Sequence, residues 1–261
     1  VCLKDENEPL ILENNELPAI PRKKISTLRL AERYRGQRLG EGAIGLALWQ
    51  WQKSGQQEIY VTVFEKHDLL IDILKKFGFE MIGYNINGEC VYLKSRNRLD
   101  YSDPYKSFPF INPRFENAGY LVVNDVYHDT LFPYSELSRT LQEQVALSVA
   151  NGLSKIYIGS PTSIPPYSIG EPILVYRRYT GDAGSKGYKS CITSYCVVTN
   201  LVVAKENNRY NMSIEDLLQR IGNKSVFDEN EIREKYNNGR TLIVVEMLYY
   251  GFFGAGNNVN W

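Results

Sequence analysis

Two short stretches carry residues whose types and spacing could do chemistry. The first reads Arg33-Tyr34-Arg35-Gly36-Gln37-Arg38-Leu39-Gly40 and runs from a strand-like segment straight into a helical pattern. The first amides of a helix have no partner inside it, and the helix dipole adds about half a positive charge at that end. A turn of this kind therefore binds anions and suits a pyrophosphate. Gly36 and Gly40 let the backbone approach a ligand with no Cβ in the way. Residues 22–38 hold Arg22, Lys23, Lys24, Arg29, Arg33, Arg35 and Arg38 against Glu32, the most basic stretch of the chain. Such a patch concentrates anionic ligands, although a solvated face accounts for the charge equally well. The second stretch is Tyr176-Arg177-Arg178-Tyr179, followed by Tyr188 and Lys189 after a loop with Gly181, Gly184 and Gly187. Rings stack on bases and cations neutralise phosphates, so this pattern suits single-stranded or flipped nucleotides. A strand with Tyr176 packed inward and both arginines outward is the other reading.

Metal chemistry is not expected. Cys2, Cys90, Cys191 and Cys196 form no CxxC pair, and His67 and His128 are the only histidines. A structural zinc site needs about four such ligands in short paired spacings. The thiols read as reduced and mostly buried, which suits a cytoplasmic protein. Lys+Arg and Asp+Glu are 30 each, which excludes a strongly basic polyanion binder, and 43% hydrophobic content excludes a mainly disordered chain. No apolar run reaches the roughly 18–20 residues needed to span a bilayer, so no membrane partner is expected. Residues 1–20 lack a charged segment followed by an apolar core, so no signal peptide is expected, and Val1 reads as a domain boundary.

With 261 residues, two domains are expected: residues 1–98, a linker over 99–118 rich in Pro and aromatics, and residues 119–261. The first half reads as strand Lys24–Leu30, the Arg35–Gly40 turn, helix Glu41–Lys53 stopped at Gly55, strand Glu58–Phe64, helix Leu69–Phe77 stopped at Gly78, then strands Met81–Asn87 and Cys90–Lys94 around the hairpin signal Asn87-Gly88. The second half reads as strands Gly119–Val126, Lys155–Ile158, Pro172–Tyr179, Ser190–Ala204 and Thr241–Leu248. Helices are expected over Ser135–Asn151, Ser213–Ile221 and Asp228–Tyr236, and His128–Pro133 as a structural turn. The fold class is α+β, the second half a mixed, mostly antiparallel small barrel with helices at its edge.

The run Arg33–Gly40 resembles the acetyl-CoA loop of the GCN5-related N-acetyltransferases (GNAT), Arg/Gln-x-x-Gly-x-Gly/Ala after a strand and before a helix. Lys75-Lys76-Phe77-Gly78-Phe79 resembles the close of that family's second core helix. The resemblance covers about Ile25–Ser95 and implies a partial GNAT-type mixed sheet with helices, and acetyl-CoA as cofactor. It implies that the amides near Gln37–Glu41 bind the pyrophosphate, that Leu28–Leu30 pairs with the pantetheine arm, and that Arg35 and Arg38 add phosphate contacts, with Gly36, Leu39 and Gly40 completing the cofactor loop. Arg38 stands where the loop's first glycine is usual. A second register, Gln37-x-x-Gly40-x-Gly42, restores both glycines, but the Arg35 register sets the helix length the family expects. Leu74 occupies the place where many members carry a tyrosine general acid, and a leucine cannot protonate a thiolate. His67, between the second core strand and its helix, and Glu32 and Tyr34, flanking the loop, are the catalytic candidates.

Gly170–Tyr176, Ser190–Val198 and Asn223–Phe227 resemble the PUA-like superfamily that includes ASCH and EVE domains, small barrels that bind RNA or modified bases. This resemblance spans about Gly119–Met247 and implies a pocket near Tyr176, Arg177, Thr193, Ser194 and Lys224, with Arg178, Tyr179, Tyr188 and Lys189 as further nucleic-acid contacts. The combined expectation is an acetyl-CoA-dependent N-acetyltransferase fused to a PUA-like domain that binds RNA or a modified nucleotide, with toxin-like aminoacyl-tRNA acetylation as an analogy. The alternatives are a non-catalytic nucleic-acid-binding module with a degenerate acetyltransferase domain, or a hydrolase site in the PUA-like pocket.

Overall fold

The structure is a computed structural model and describes residues 1–28, 36–133, 148–181, 189–254 and 256–259. The chain divides into two compact units, Val1–Asn112 and Pro113–Trp261.

The first unit opens with β1 (Cys2–Glu6), a small hairpin of β2 (Leu10–Ile11) and β3 (Glu16–Leu17), and β4 (Arg22–Thr27). Then follow α1 (Leu39–Ser54), β5 (Glu58–Val63), α2 (Asp68–Lys76), β6 (Glu80–Tyr84) and β7 (Cys90–Ser95). From β4 onward, element types and order are those expected. The polar Cys2–Glu6 segment and the short hairpin carry no periodicity to announce them. The sheet order is β1-β4-β5-β7-β6, with β4 and β5 parallel and the other pairs antiparallel. The Asn87-Gly88 turn closes β6 on β7, with Gly88 at φ 72. One sheet face carries Tyr60, Val91 and Leu93 under Leu10 and Leu12. Helix α1 buries Ile44, Ala47, Leu48 and Trp51, a stripe at helical spacing, and Gly55 in the left-handed region ends it.

Residues 99–112, read as linker, lie in the first unit. A short helix α3 (Pro104–Ser107) is capped by Asp103, whose side chain accepts from the Tyr105 amide. Phe108 is fully buried, 5.8 Å from the Trp49 ring and 5.6 Å from Phe77. Phe108 is thus core, whereas Tyr101 and Phe115 stay exposed. Gly78, at φ 74, lets the end of α2 meet this segment: a Cβ there would stand 2.9 Å from the Lys106 carbonyl oxygen.

The second unit runs β8 (Gly119–Asn124), α4 (Asp125–Leu131), α5 (Ser148–Asn151), β9 (Ser154–Gly159), β10 (Pro172–Arg178), β11 (Cys191–Glu206), β12 (Arg209–Tyr210), α6 (Ile214–Ile221), α7 (Glu229–Asn238) and β13 (Leu242–Phe252). The main sheet has the order β8-β10-β11-β13-β9, with β12 on β11. Only β8–β10 is parallel. Among the described residues no ladder joins β8 to β9, so the sheet is a half-barrel rather than a closed one. The α+β class with mixed sheets holds. One local expectation is corrected and another lies mostly beyond the described residues. His128 lies within α4, not in a turn, and the Ser135–Asn151 helix falls mostly outside the described residues, its described remainder being α5. Ser213 caps α6 and Asp228 with Glu231 forms a full capping box on α7. Leu217, Ile221 and Ile232 from these helices pack on Ile156, Ile158, Leu242 and Val244.

One device recurs in both units. A cation on a strand, or just past it, turns into the core and donates to the last carbonyls of a helix. Lys94 Nζ donates to the carbonyls of Phe77 and Lys106, at 2.5 and 2.7 Å. Arg96 donates to Trp51 and Gln52 at the end of α1. Lys155 donates to Val149 and Ala150, and Lys205 to Tyr236 and Asn237. Carbonyls at a helix C-terminus lack intrahelical donors and carry partial negative charge, so each cation meets both needs.

Candidate functional site

Strands β4 and β5 pair from Arg22↔Glu58 to Ile25↔Val61, then stop, although β4 runs on to Thr27 and β5 to Val63. Their outer partners stay with them, Cys2 opposite Thr27 and Cys90 opposite Val63. The two parallel strands therefore part at their C-terminal ends, which leaves strand edges facing a gap. Leu28, just past β4, lines a cleft of 810 Å³ with Gly36, Arg38, Leu39, Gly40 and Glu41 on one side. Lys66, His67, Leu69, Leu70, Ile73 and Lys76 line the other. The N-terminus of α1 opens into this cleft. Among the described residues, no group accepts from the amides of Leu39 and Gly40.

Of the residues expected to hold the cofactor, Leu28, Gly36, Arg38, Leu39, Gly40 and Glu41 line one cleft, with His67 across from them, and Gln37 is not on its lining. Leu28 lies past the end of the strand rather than in it, while Leu30, Glu32, Tyr34 and Arg35 lie outside the described residues. Arg38 has φ 58, in the left-handed region that favours glycine, whereas Gly40 and Gly42 lie within α1. The strained backbone falls where the Arg35 register asks for its first glycine. Gly36, at φ 79, has no heavy atom of the described residues within 4 Å of where a Cβ would stand.

The four described cations of the basic stretch each meet a carboxylate. Lys23 pairs with Asp5, Lys24 with Glu6, and Arg22 is buried against Glu58 at 2.7 Å. Arg38 meets Glu41 at 3.0 Å within the first turn of α1. The cleft lining holds Arg38, Lys66 and Lys76 against Glu41, Asp68 and Asp72. Polar recognition there therefore rests on amides and local cations, not on a net positive field. Leu74 is fully buried, so no proton donor comes from that position.

In the second unit the arginine pair divides across β10. Arg177 is 6% exposed and points inward, a correction to its reading as a nucleic-acid contact. Its guanidinium forks onto Asp129, Nε to Oδ1 at 2.8 Å and a terminal nitrogen to Oδ2 at 2.9 Å, and also donates to the Lys189 carbonyl. Arg178 is exposed and donates to Asn124 Oδ1 at 2.9 Å. Alternation along a strand forces this split: adjacent residues cannot share a face. Thr193 and Ser194, expected at the pocket, are fully buried. Tyr176 and Tyr179 are half-buried, the Lys189 ammonium sits 4.6 Å from the Tyr179 ring centre, and Lys224 lies in a short 3₁₀ turn. Tyr188 is outside the described residues.

Arg177 belongs to a buried network that sequence reasoning missed. His128 Nδ1 is 2.8 Å from Asp129 Oδ1, and Nε2 is 2.7 Å from Thr193 Oγ1. An ionised carboxylate only accepts, so Nδ1 donates to Asp129 and Nε2 accepts from the threonine hydroxyl. Burial pushes His128 below the ordinary imidazole value despite Asp129. Burial works to raise Asp129, but hydrogen bonds from Arg177 and His128 outweigh it and hold the carboxyl at about 2. Asp129, His128 and Thr193 stand in the order of a nucleophilic triad. A nucleophile must meet its substrate, however, and both His128 and Thr193 are 0% exposed. The network is a structural tie between α4, β10 and β11. The adjacent His128-Asp129 pair was its one visible signal.

No family model matches the chain, and no curated protein matches it. Among solved structures, a mutant of ZmASCH, an ASCH protein from Zymomonas mobilis, is similar over 51% of this chain and 66% of that one, just short of two thirds. The identity is 11% and the TM-score 0.30, a likeness too slight to bear on fold or chemistry.

Proposed function

We propose that the first unit binds acetyl-CoA and transfers its acetyl group to an amine, and that the second unit holds RNA or a modified nucleotide that presents the acceptor. The observation that carries this reading is the parting of β4 from β5 where the N-terminus of α1 opens into the 810 Å³ cleft. An extended amide-bearing arm can pair with the exposed strand edges, as an added strand would. A diphosphate can take the Leu39 and Gly40 amides at the helix mouth. The residues present fit the group: small loop glycines, open amides, and apolar Leu28, Leu69 and Ile73 along the cleft. Bound there, acetyl-CoA would supply an activated acyl carbon. His67, across the cleft from the loop, is then a described side chain able to accept a proton from the incoming amine, and Leu74 cannot take part.

Thermal unfolding with acetyl-CoA tests the reading. A ligand that binds only the folded chain at about 100 times its Kd adds about 2.7 kcal/mol. Gly40→Phe should abolish the shift, because the ring would fill the helix mouth, while the chain without ligand melts as before. Transfer of labelled acetyl to an amine acceptor should fall in His67→Ala. No shift at millimolar acetyl-CoA would overturn the proposal.

A further inference from the structure

Among the described residues, the half-barrel leaves β8 and β9 as its two edges, and both line two neighbouring hollows that together form the cleft considered below. One part, of 680 Å³, is bounded by Asn117–Val122, Tyr157, Pro165–Tyr167 and Glu171. The adjoining part, of 360 Å³, shares Val122, Tyr157, Gly159 and Ser160, and adds Asn124, Tyr127, Arg178, Phe227 and Lys235. Rings and charges are sorted along it. Tyr120, Tyr157 and Tyr167 stand at one end, and the Tyr167 hydroxyl donates to the Tyr120 carbonyl at 2.7 Å. Tyr127 and Phe227 meet at 4.8 Å at the other end, beside both cations. Lys235 lies 4.4 Å from the Phe227 ring centre, and Arg178 is oriented by Asn124. Tyr120 is 64% exposed and Tyr127 36%. Tyr120 and Tyr127 keep ring surface open to a ligand, and among the described residues the cations on the lining, Arg178 and Lys235, lie at one end.

We infer that this cleft between β8 and β9 binds an unpaired stretch of RNA, with bases on the tyrosine rings and phosphates at Arg178 and Lys235. The inference rests on the proposed reading of the second unit as an RNA holder. It moves the contact surface, however, away from Arg177, Thr193 and the Tyr179–Lys189 face. Charge complementarity chooses the occupant: an extended apolar peptide would use the rings but not two cations beside them. Base stacking on aromatic rings tolerates any sequence, so little base preference is expected.

Fluorescence anisotropy on the full chain with labelled single-stranded RNA, single-stranded DNA of the same sequence, and duplex RNA tests this. Tyr120→Ala and Tyr127→Ala change exposed side chains and leave the fold intact. Each should weaken single-stranded RNA about tenfold. Arg178→Gln with Lys235→Gln should weaken it and flatten the dependence of log affinity on log salt by about 1.4, two phosphate contacts' worth for a single strand. Tyr179→Ala and Lys189→Gln should change nothing. Unchanged affinity in the cleft variants, with loss in the Tyr179 and Lys189 variants, overturns the cleft and keeps the RNA reading. No salt-dependent binding of any RNA by the unaltered chain overturns both. Preference for duplex RNA overturns the stacking mode, and equal binding of DNA overturns the choice of RNA.

Discussion

Lys94 allows the sharpest prediction. It lies on β7 at 2% exposure, and its amine meets two carbonyl oxygens. Burial lowers its pKa from 10.5 to about 7, with Asp103 opposing. In the unfolded chain the amine returns to its ordinary value. Between about pH 7 and 10 the unfolded chain therefore holds a proton that the folded chain has shed, and stability rises with pH. The limiting slope is about 1.4 kcal/mol per pH unit, so about 3 kcal/mol accrues over two units. Below about pH 7 both states are protonated and this gain is absent. Lys94→Met keeps the stem volume but strips the donor from two buried carbonyls, at about 1–3 kcal/mol each. It also removes the slope. Urea unfolding at about pH 6, 7.5 and 9, read from Trp49 and Trp51 in a Trp261→Phe background, measures both. The original chain should gain stability across the series, and the variant should stay flat and fall furthest behind at high pH. Parallel curves for the two would refute a buried, largely neutral amine.

Four further outcomes are expected. Asp129→Asn leaves the Arg177 guanidinium buried without its carboxylate and should cost about 3–5 kcal/mol in chemical denaturation. The Asp129 carboxyl, held at about 2 against 3.8 unfolded, stabilises the second unit above about pH 4. That contribution should vanish as pH falls toward 2, visible as an acid transition in circular dichroism that the Asn variant lacks. Gly78→Ala puts a methyl 2.9 Å from a backbone oxygen at a left-handed position, and should lower stability by about 1–3 kcal/mol in the same urea assay. At Arg38, which lies in the left-handed region, Val should fall below Arg by about 1–3 kcal/mol in the urea assay.

Much of the first unit was readable because its signals were local. The β-branched run Glu58–Val63, the stop at Gly55 and the Asn87-Gly88 turn each depend on neighbours in sequence. Segment Cys2–Glu6 was not readable, since its acids serve as partners for Lys23 and Lys24 across a strand pair that only the register reveals. The same register explains why the basic stretch is less of a patch than its composition suggests. Nothing in the sequence marks Lys94, Lys155 and Lys205 as inward-facing, because lysine is almost never fully buried without partners, and their partners are carbonyls at helix ends. Arg177 was misread for a related reason. Two adjacent arginines look alike in sequence, yet the pleat sends one to Asp129 and the other to solvent. The turn at Gly36–Gly40 into a helix was legible, while the gap beside it comes from where the β4–β5 ladder stops, which composition does not encode.

The inward lysines have a bearing on covalent labelling. Lys94, Lys155 and Lys205 are each closed off by backbone oxygens and packed side chains, so reagents that modify ε-amines cannot reach them while the chain is folded. Acetyl-CoA bound as proposed would bring stray acylation of surface amines. These three side chains would escape it, and the appearance of an acyl mark on any of them in peptide mass spectra would report that its unit had opened.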